Sequence, residues 1–274
     1  MQLASRFASR SPAIRSATPL TNDEIARVVP SIFADAAHDS RSERYTYIPT
    51  VSVLDGLRRE GFQPFMACQT RVRNPDKRDY TKHMIRLRHV DQINGHEANE
   101  IILLNSHDGT SSYQMLAGMF RFVCQNGMVC GDTVADFRVP HKGDVVGQVI
   151  EGAYTVLDGF AKATEQREEM KALPLHPAEQ VAFARAALTL RYDDENPAPI
   201  KAEQLLQPKR SADRAGDLWT TFNRVQENMT RGGVHGRNRT GRRVTTRPIN
   251  GIDQNVKVNR ALWVLAEEMR RLRA

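Results

Sequence analysis

The chain has 274 residues, of which 40% are hydrophobic, an ordinary share for a globular protein with a substantial core. Its net charge of +7 favours a polyanionic partner such as nucleic acid, and it argues against an inhibitor that mimics DNA with an acidic surface. No apolar run approaches the roughly 18 residues that a membrane-spanning helix needs. We therefore expect a cytoplasmic protein with no membrane partner.

Cysteine usage and the first residues add little chemistry. Cys68, Cys124 and Cys130 form neither an even disulfide framework nor a CxxC pair, which indicates a reducing compartment. Residues 1–20 carry three arginines and no acidic residue, which predicts a flexible basic arm, with a transit peptide as the alternative.

Two short helices are predicted after this arm, over 21–36 and 52–61. Thr21 caps the first helix and acidic residues follow in its first turn. Ser52 caps the second helix, which ends at a glycine.

Strands are predicted next. Residues alternate with a period of two in 62–74 and in 81–90, which predicts an antiparallel hairpin with one apolar and one strongly basic face. The more apolar segment 99–109 predicts a third, central strand.

The segment 111–131 is predicted to be a helix. Tyr113, Leu116 and Met119 recur at helical spacing, and an Asn-Gly pair ending at Gly127 provides a C-cap. The chain then offers a short strand and two further helices, at 144–173 and 177–192.

The remainder of the chain is predicted to be mainly helical. Residues 193–217 are rich in proline and charge, which favours a linker. A helix with an apolar stripe follows, and an amphipathic helix closes the chain. We predict an α+β fold, a three- or four-stranded antiparallel sheet with a β-hairpin packed against helices and a helical C-terminal half. Its parts are a basic arm (1–20), an α+β core domain (21–192), a linker (193–217) and a helical region with an Arg/Gly-rich loop (218–274).

The basic face of the hairpin is the first candidate binding site. Cations on adjacent strands can track a phosphate backbone and make affinity depend on salt. The alternative is a solvated sheet face, where Arg and Lys are common. The candidate residues are Arg71, Arg73, Lys82, Arg86 and Arg88.

The segment "GGVHGRNRTGRRVTTR" (232–247) is the second candidate site, with five arginines and four glycines in sixteen positions. Arginine forks bind phosphates in a bidentate manner and stack on bases, while glycines permit a close approach of the backbone. A loop that is rich in Arg and Gly for solubility is the alternative. The candidate residues are Arg237, Arg239, Arg242, Arg243 and Arg247.

Enzymatic function has weak support in the sequence. His107 and Asp108 lie close to two serines, but no G-x-S-x-G elbow surrounds either serine, and a turn explains the same residues. The histidines and cysteines lack the spacing of metal ligands, and no phosphate-binding loop is present. We therefore assign no catalytic residue, no metal site and no cofactor.

Several motifs resemble a known family. "GFQPFMACQTRVR", "HMIRLRH", "LLNSHDGTSSYQMLAGMFRFVCQNGMVCG", "LWTTFNRVQENMTRGG" and "INGIDQNVKVNRALWVLAEEM" resemble the phage/plasmid-like protein family, a domain of unknown function numbered 932. This resemblance covers most of the chain from about residue 45. The family name implies no activity.

A looser resemblance concerns the order of elements. The succession of helix, "REGF" turn, basic hairpin, third strand and long helix is similar to the core of the single-strand annealing recombinases, which include the eukaryotic annealing protein, phage Red-beta and Erf. That similarity implies a basic groove for single strands and assembly into rings or filaments. It also implies that Arg121, on the predicted helix behind the hairpin, is a groove residue.

The sequence therefore predicts ATP-independent binding of single-stranded DNA and annealing of complementary strands, in recombination or maintenance of mobile DNA, by a homo-oligomer. This hypothesis requires both arginine sets to remain free of internal carboxylates. A metal-dependent nuclease is one alternative, although Asp76, Asp79 and Asp108 are scattered across turns. An anti-restriction or structural interaction protein is the other.

Overall fold

The computed structural model describes residues 12–93, 96–122, 126–130, 136–139 and 146–273. Residues 1–11 of the predicted basic arm lie outside this part. The chain forms two compact units. The first comprises residues up to 122, 134–160 and 250–252, and the second comprises 123–133, 161–249 and 253–274. This division does not follow the predicted boundary at 192.

An antiparallel sheet forms the centre of the first unit, which confirms the α+β class, but six of its described strands lie in this unit, more than the three or four predicted. The first five strands of this unit are neighbours in chain order, and its sixth strand also pairs with the fifth. A further strand, β6 (Asn126–Val129), groups with the second unit. The sheet strands of the first unit are β1 (Ala13–Arg15), β2 (Phe62–Gln69), β3 (His83–His89), β4 (Glu97–Asn105), β5 (Tyr113–Arg121) and β7 (Asp136–Val139).

The predicted hairpin and third strand are confirmed. Strand β2 pairs with β3, and the register shifts between Pro64 and Met66. A short 3-10 helix, Pro75–Tyr80, occupies the predicted turn. Strand β4 pairs with β3 on one side and β5 on the other, so the apolar third strand is central, as its composition predicted.

The helix predicted over 111–131 is wrong. Its first part is β5, whose residues pair with β4 from Leu104↔Gln114 to Glu97↔Arg121. Eight of its nine residues are buried, so apolar side chains occupy both faces and the segment reads as an almost continuous apolar run. Helical spacing can be picked out of such a run by chance.

Short helices in the first unit supply core residues. Helix α1 (Asn22–Val28) begins at Thr21, which accepts a hydrogen bond from the Glu24 amide in a capping box, as expected for this cap. A 3-10 helix (Pro30–Phe33) and α2 (Thr50–Arg59) follow. Helix α2 starts two residues before the predicted cap. These elements bury four aliphatic side chains: Ile25, Ile32, Leu54 and Leu57.

Helices dominate the second unit. Helix α3 groups with the first unit up to residue 160 and with the second unit beyond it. A two-stranded sheet of β8 and β9 lies between the last two helices in sequence. The elements are α3 (Val146–Ala172), α4 (Pro177–Thr189), α5 (Ala202–Leu205), α6 (Leu218–Arg231), β8 (His235–Arg237), β9 (Arg243–Thr245) and α7 (Ile252–Arg271). None of the described helices combines the length and hydropathy needed to cross a bilayer.

Helix α6 is buried around its whole circumference from Leu218 to Thr230. The predicted apolar stripe is present: Trp219 stacks on Phe222, and Phe222 packs edge-on against Trp263 of α7. The polar side is buried as well, and its side chains form hydrogen bonds. Asn228, for example, donates to the carbonyl of Leu205 at 2.9 Å. Such a helix is a fixed internal support for the segments around it.

The predicted linker at 193–217 lies inside the second unit and carries α5 and a 3-10 helix, Ser211–Asp213. The Arg210 guanidinium donates two hydrogen bonds to the Glu227 carboxylate of α6, each 2.8 Å long, in a bidentate contact. The buried Asp213 accepts a third bond from Arg210. Charge and proline content suggested a solvated connection, but these charges bind one another against α6.

Candidate nucleic-acid interface

The hairpin does not present the exposed basic strip that its alternation predicts. Arg86 and Arg88 are only 4% and 3% exposed, and both contact Glu100 of β4, which is fully buried. The Arg86 Nε lies 2.6 Å from one carboxylate oxygen and the Arg88 Nε lies 2.8 Å from the other. The prediction of a surface strip is therefore wrong for these two residues, because β4 supplies an internal carboxylate.

Aromatic rings complete the surroundings of Arg88. Its guanidinium carbon lies 3.4 Å from the ring centre of Phe120 and 4.6 Å from that of Phe65. Phe122 contributes a third ring at 5.3 Å. Cation–π contacts of this kind stabilise a desolvated arginine. These aromatic side chains therefore hold a buried cation, and base stacking is not available to them.

The other residues of the first set have separate surroundings. Arg71 and Arg73 are exposed, but they follow the end of β2 and lie in a loop. Lys82 is half-buried just before β3. Arg121 is buried at the end of β5, 4.0 Å from the carboxylate of Glu97. Of the six cations assigned to a groove, Arg71 and Arg73 are the two that are exposed.

The second arginine set lies on an ordered two-stranded ribbon. We call residues 235–247 the arginine ribbon: β8, β9, the loop that joins them and the two residues that follow. Its register pairs His235 with Thr245 and Arg237 with Arg243. The segment is predicted to be a loop, so these two strands are missed, although "VHGR" and "RRVTT" flank the turn sequence "NRTG".

The ribbon has two different faces. Residues that face each other across an antiparallel pair project to the same side. One face carries His235, Arg237, Arg243 and Thr245, all of them exposed. The opposite face carries Gly236 and Val244, which are partly covered. The ribbon therefore lies with its back against the second unit and its arginines outward.

A dense hydrogen-bond pattern shapes the loop. The Asn238 side chain accepts bonds from the amides of Thr240 and Arg242, at 3.1 and 2.9 Å. Gly241 has a positive φ of 78°, which favours glycine. The Arg237 guanidinium donates to the Gly241 carbonyl at 2.8 Å. The loop that carries Arg239 and Arg242 is thus a defined turn.

Main-chain contacts fix the ribbon to its unit. The Arg237 amide donates to the Pro199 carbonyl at 2.8 Å. Gly236 sits so close to this segment that a Cβ atom there would meet the Pro199 oxygen at 1.9 Å. Gln204 donates to the His235 carbonyl. A glycine is required at position 236 because the backbones of the two segments touch.

The segment that follows the ribbon is fixed in the same way. Arg191, at the end of α4, donates to the carbonyls of Met229 and Arg247, at 2.8 and 2.6 Å. The Ile249 amide donates to the Thr230 carbonyl at 2.8 Å. Both contacts tie the chain on the C-terminal side of β9 to the end of the fully buried helix α6.

The charges of the ribbon are not neutralised within the part of the chain that the structure describes. None of its arginines lies within 4.0 Å of a carboxylate there, and Arg239 contacts only the main-chain carbonyl of Glu195. Arg237 and Arg243 are direct cross-strand partners. Like charges in this position destabilise a strand pair, so the arrangement is costly unless an anion binds. The exposed arginines are Arg237, Arg239, Arg242, Arg243 and Arg247.

The residues considered for catalysis are buried or occupied. His107 is fully buried, with its Nε2 atom 3.4 Å from the Thr50 hydroxyl. Asp108 accepts two bonds from Thr110, as in an ordinary turn. Ser111 donates to the Ser112 carbonyl. The geometry is that of a structural turn.

The second imidazole of this region is also buried. His83 contacts the Thr50 hydroxyl at 2.9 Å and the Thr81 carbonyl at 3.0 Å. Burial, and to a lesser degree the neighbouring His107, lowers the pKa of His83 to about 3. His83 is therefore neutral near pH 7 and part of the core.

Metal binding was considered through the carboxylates near the basic elements. Asp76 and Asp79 lie exposed on the 3-10 helix of the hairpin turn, and Asp108 caps a separate turn. Within the described ranges, no group of three His, Cys, Asp or Glu side chains is placed to hold a metal ion.

Comparison with known proteins identifies the family. A family description, "Domain of unknown function (DUF932)", matches residues 37–263. Two proteins of Escherichia coli strain K12, UPF0380 protein YfjQ and UPF0380 protein YafZ, are each 59% identical to this chain over 268 residues, covering 98% of it and 97% of their own length. No solved structure matches the chain. A match of this extent shows that the chain belongs to the DUF932 family.

Proposed function

We propose that this protein binds nucleic acid through the arginine ribbon. The observation that supports the proposal is the set of exposed arginines on a fixed ribbon, with no carboxylate within 4.0 Å among the described residues. Phosphate groups provide the missing negative charge, and arginine is the side chain best suited to bind them in a bidentate manner. Each phosphate contact releases counterions, which drives binding at low salt.

The proposed activity is ATP-independent binding of single-stranded DNA and annealing of complementary strands, in recombination or maintenance of mobile DNA. The condition that both arginine sets stay free of internal carboxylates is not met, because Arg86 and Arg88 are paired with Glu100. The part of the hypothesis that we carry forward therefore rests on the ribbon alone, and annealing is its separately tested consequence. Base pairing itself supplies the energy of annealing. Assembly of several copies into a ring or filament stays a prediction, which light scattering with and without oligonucleotide tests.

The test is fluorescence anisotropy with single- and double-stranded oligonucleotides over a series of salt concentrations. In the variant Arg239→Ala/Arg242→Ala, we expect the slope of log affinity against log salt to fall by about two, one for each lost phosphate contact. An annealing time course of complementary strands without ATP should slow in the same variant.

A matched control removes the same charge elsewhere in the second unit. Arg185 on α4 and Arg214 are exposed, so Arg185→Ala/Arg214→Ala should leave both the slope and the annealing rate near those of the unmodified protein. If the ribbon variant and the control behave alike, or if no salt-dependent binding occurs, the proposal is wrong. Cleavage of the oligonucleotides in the presence of Mg²⁺ would instead support a nuclease.

A further inference from the structure

The outer face of the arginine ribbon has the form of a groove-binding element. It presents His235 beside Thr245 and Arg237 beside Arg243 on two adjacent strands. Its back face is held against Pro199, so the face keeps its shape without a ligand. A two-stranded ribbon of this kind fits the major groove of B-form DNA, which is about 12 Å wide.

We propose that this face lies in the major groove of duplex DNA, where Arg237 and Arg243 donate to base edges while Arg239, Arg242 and Arg247 contact phosphates. The inference rests on the proposed nucleic-acid binding and names its substrate form, which is the double-stranded product of annealing. Arginine donates two hydrogen bonds to the O6 and N7 atoms of guanine, and the threonine methyl group contacts that of thymine.

The composition of the ribbon suits the duplex product of annealing better than the single strands, which it would hold through their phosphates alone. Proteins that hold single strands stack successive bases on aromatic side chains. The segment 232–247 contains no Phe, Tyr or Trp. The cross-strand pair of Arg237 and Arg243 places two guanidinium groups on one small face, which suits the acceptor-rich edge of guanine in the major groove. One nitrogen of Arg237 contacts the Gly241 carbonyl, and its other N–H groups are the ones assigned to the base.

The experiment compares three probes in equal salt: a DNA duplex, an RNA duplex of the same sequence with U for T, and the single DNA strand. The major groove of A-form RNA is deep and narrow and excludes protein elements, although its phosphates are as numerous. We expect the DNA duplex to bind at least about ten-fold tighter than the RNA duplex, the discrimination that base-edge contacts provide.

Two variants separate base-edge contacts from charge. Arg237→Lys/Arg243→Lys keeps both positive charges but removes the forked donors, so the ratio between DNA and RNA duplexes should fall towards one. Gly236→Val keeps every arginine but pushes the back of the ribbon away from the Pro199 carbonyl. This variant should lose the preference for the DNA duplex over the RNA duplex while retaining salt-dependent binding. The control Arg185→Lys should keep the same ratio of DNA-duplex to RNA-duplex affinity as the unmodified protein.

The outcomes distinguish the two proposals. Equal affinity for both duplexes, or tighter binding of the single strand than of the DNA duplex, overturns the groove assignment and leaves nucleic-acid binding intact. A preference for the DNA duplex that survives Arg237→Lys/Arg243→Lys also overturns it. Absence of binding to all three probes overturns the proposed function and this inference together.

Discussion

Two pairs of arginines lie on antiparallel strands of this chain, one pair buried and the other exposed. Arg86 and Arg88 of β3 are buried and share the carboxylate of Glu100. Arg237 and Arg243 of the arginine ribbon are exposed and face each other across the strands. In sequence, the first pair lies on a segment that alternates with a period of two, and the second pair lies in a segment that is predicted to be an Arg/Gly-rich loop.

The difference between the pairs lies in what the neighbouring strand supplies. Glu100 is directly opposite Arg88 in the register of β3 and β4, although it is 12 residues away in sequence. The ribbon has only its own two strands, and neither carries an acidic residue. The presence of a carboxylate at the right register position therefore decides whether an arginine is structural or available for binding.

The largest expected effect is on the buried pair. Glu100→Gln leaves two guanidinium groups without their charge partner, and the free energy of unfolding should fall by about 3–5 kcal/mol. Urea unfolding followed by circular dichroism measures this change. Glu97→Gln is the matched control on the same strand and should cost less, because its carboxylate lies 4.0 Å from Arg121. A loss below about 1 kcal/mol for Glu100→Gln would refute the structural role.

A second test uses pH, because β3 also buries a basic side chain that has no charge partner. The pKa of His83 is lowered to about 3, so the unfolded chain binds a proton that the folded chain does not. The contribution of neutral His83 to the free energy of unfolding should be fully present above pH 6.5 and decrease as pH falls towards 3. The loss at pH 4 should be about 3 kcal/mol.

Urea midpoints at pH 7 and pH 4 measure this loss. His83→Gln should flatten the dependence on pH, while His235→Gln, on the exposed face of the ribbon, should leave it unchanged. Equal dependence in His83→Gln and the unmodified protein would assign the loss to other groups.

The smallest expected effect is on the exposed pair. Arg237→Ala/Arg243→Ala removes a like-charge contact, so the free energy of unfolding should change by less than about 0.5 kcal/mol, or rise slightly. The change should shrink further at high salt, which screens exposed charges. A loss of more than about 1 kcal/mol in the free energy of unfolding would mean that the exposed pair supports the fold as the buried pair does.

Local sequence patterns predict most of the elements that show a clear periodicity or a cap. The hairpin, the strand β4 and the helices α3, α4, α6 and α7 follow from periodicity and caps. Strand β5 was missed because it is buried on both faces, which erases the alternation that identifies a strand. The composition of 193–217 predicts a linker, because the sequence does not show that Asp213 and Glu227 pair with Arg210.

The candidate site shows the same limit. The exposed arginines of the ribbon were recognised by their density, which requires no partner information. The burial of Arg86 and Arg88 depends on a register between strands, and a register is set by contacts distant in sequence. The acceptor role of Pro199 is hidden for the same reason, because it is a main-chain contact between separate segments.

The attachment of the ribbon has a consequence for variation. Its anchor contacts use main-chain atoms at positions 235 and 237 and the absence of a side chain at position 236. The side chains at the outward positions 235, 237, 243 and 245 therefore take no part in this attachment, and their bonds stay within the ribbon, from Arg237 to the Gly241 carbonyl and between His235 and Thr245. Exchange of His235, Arg243 and Thr245 should therefore leave the ribbon attached to its unit, which makes these positions suitable for a designed library of stable variants.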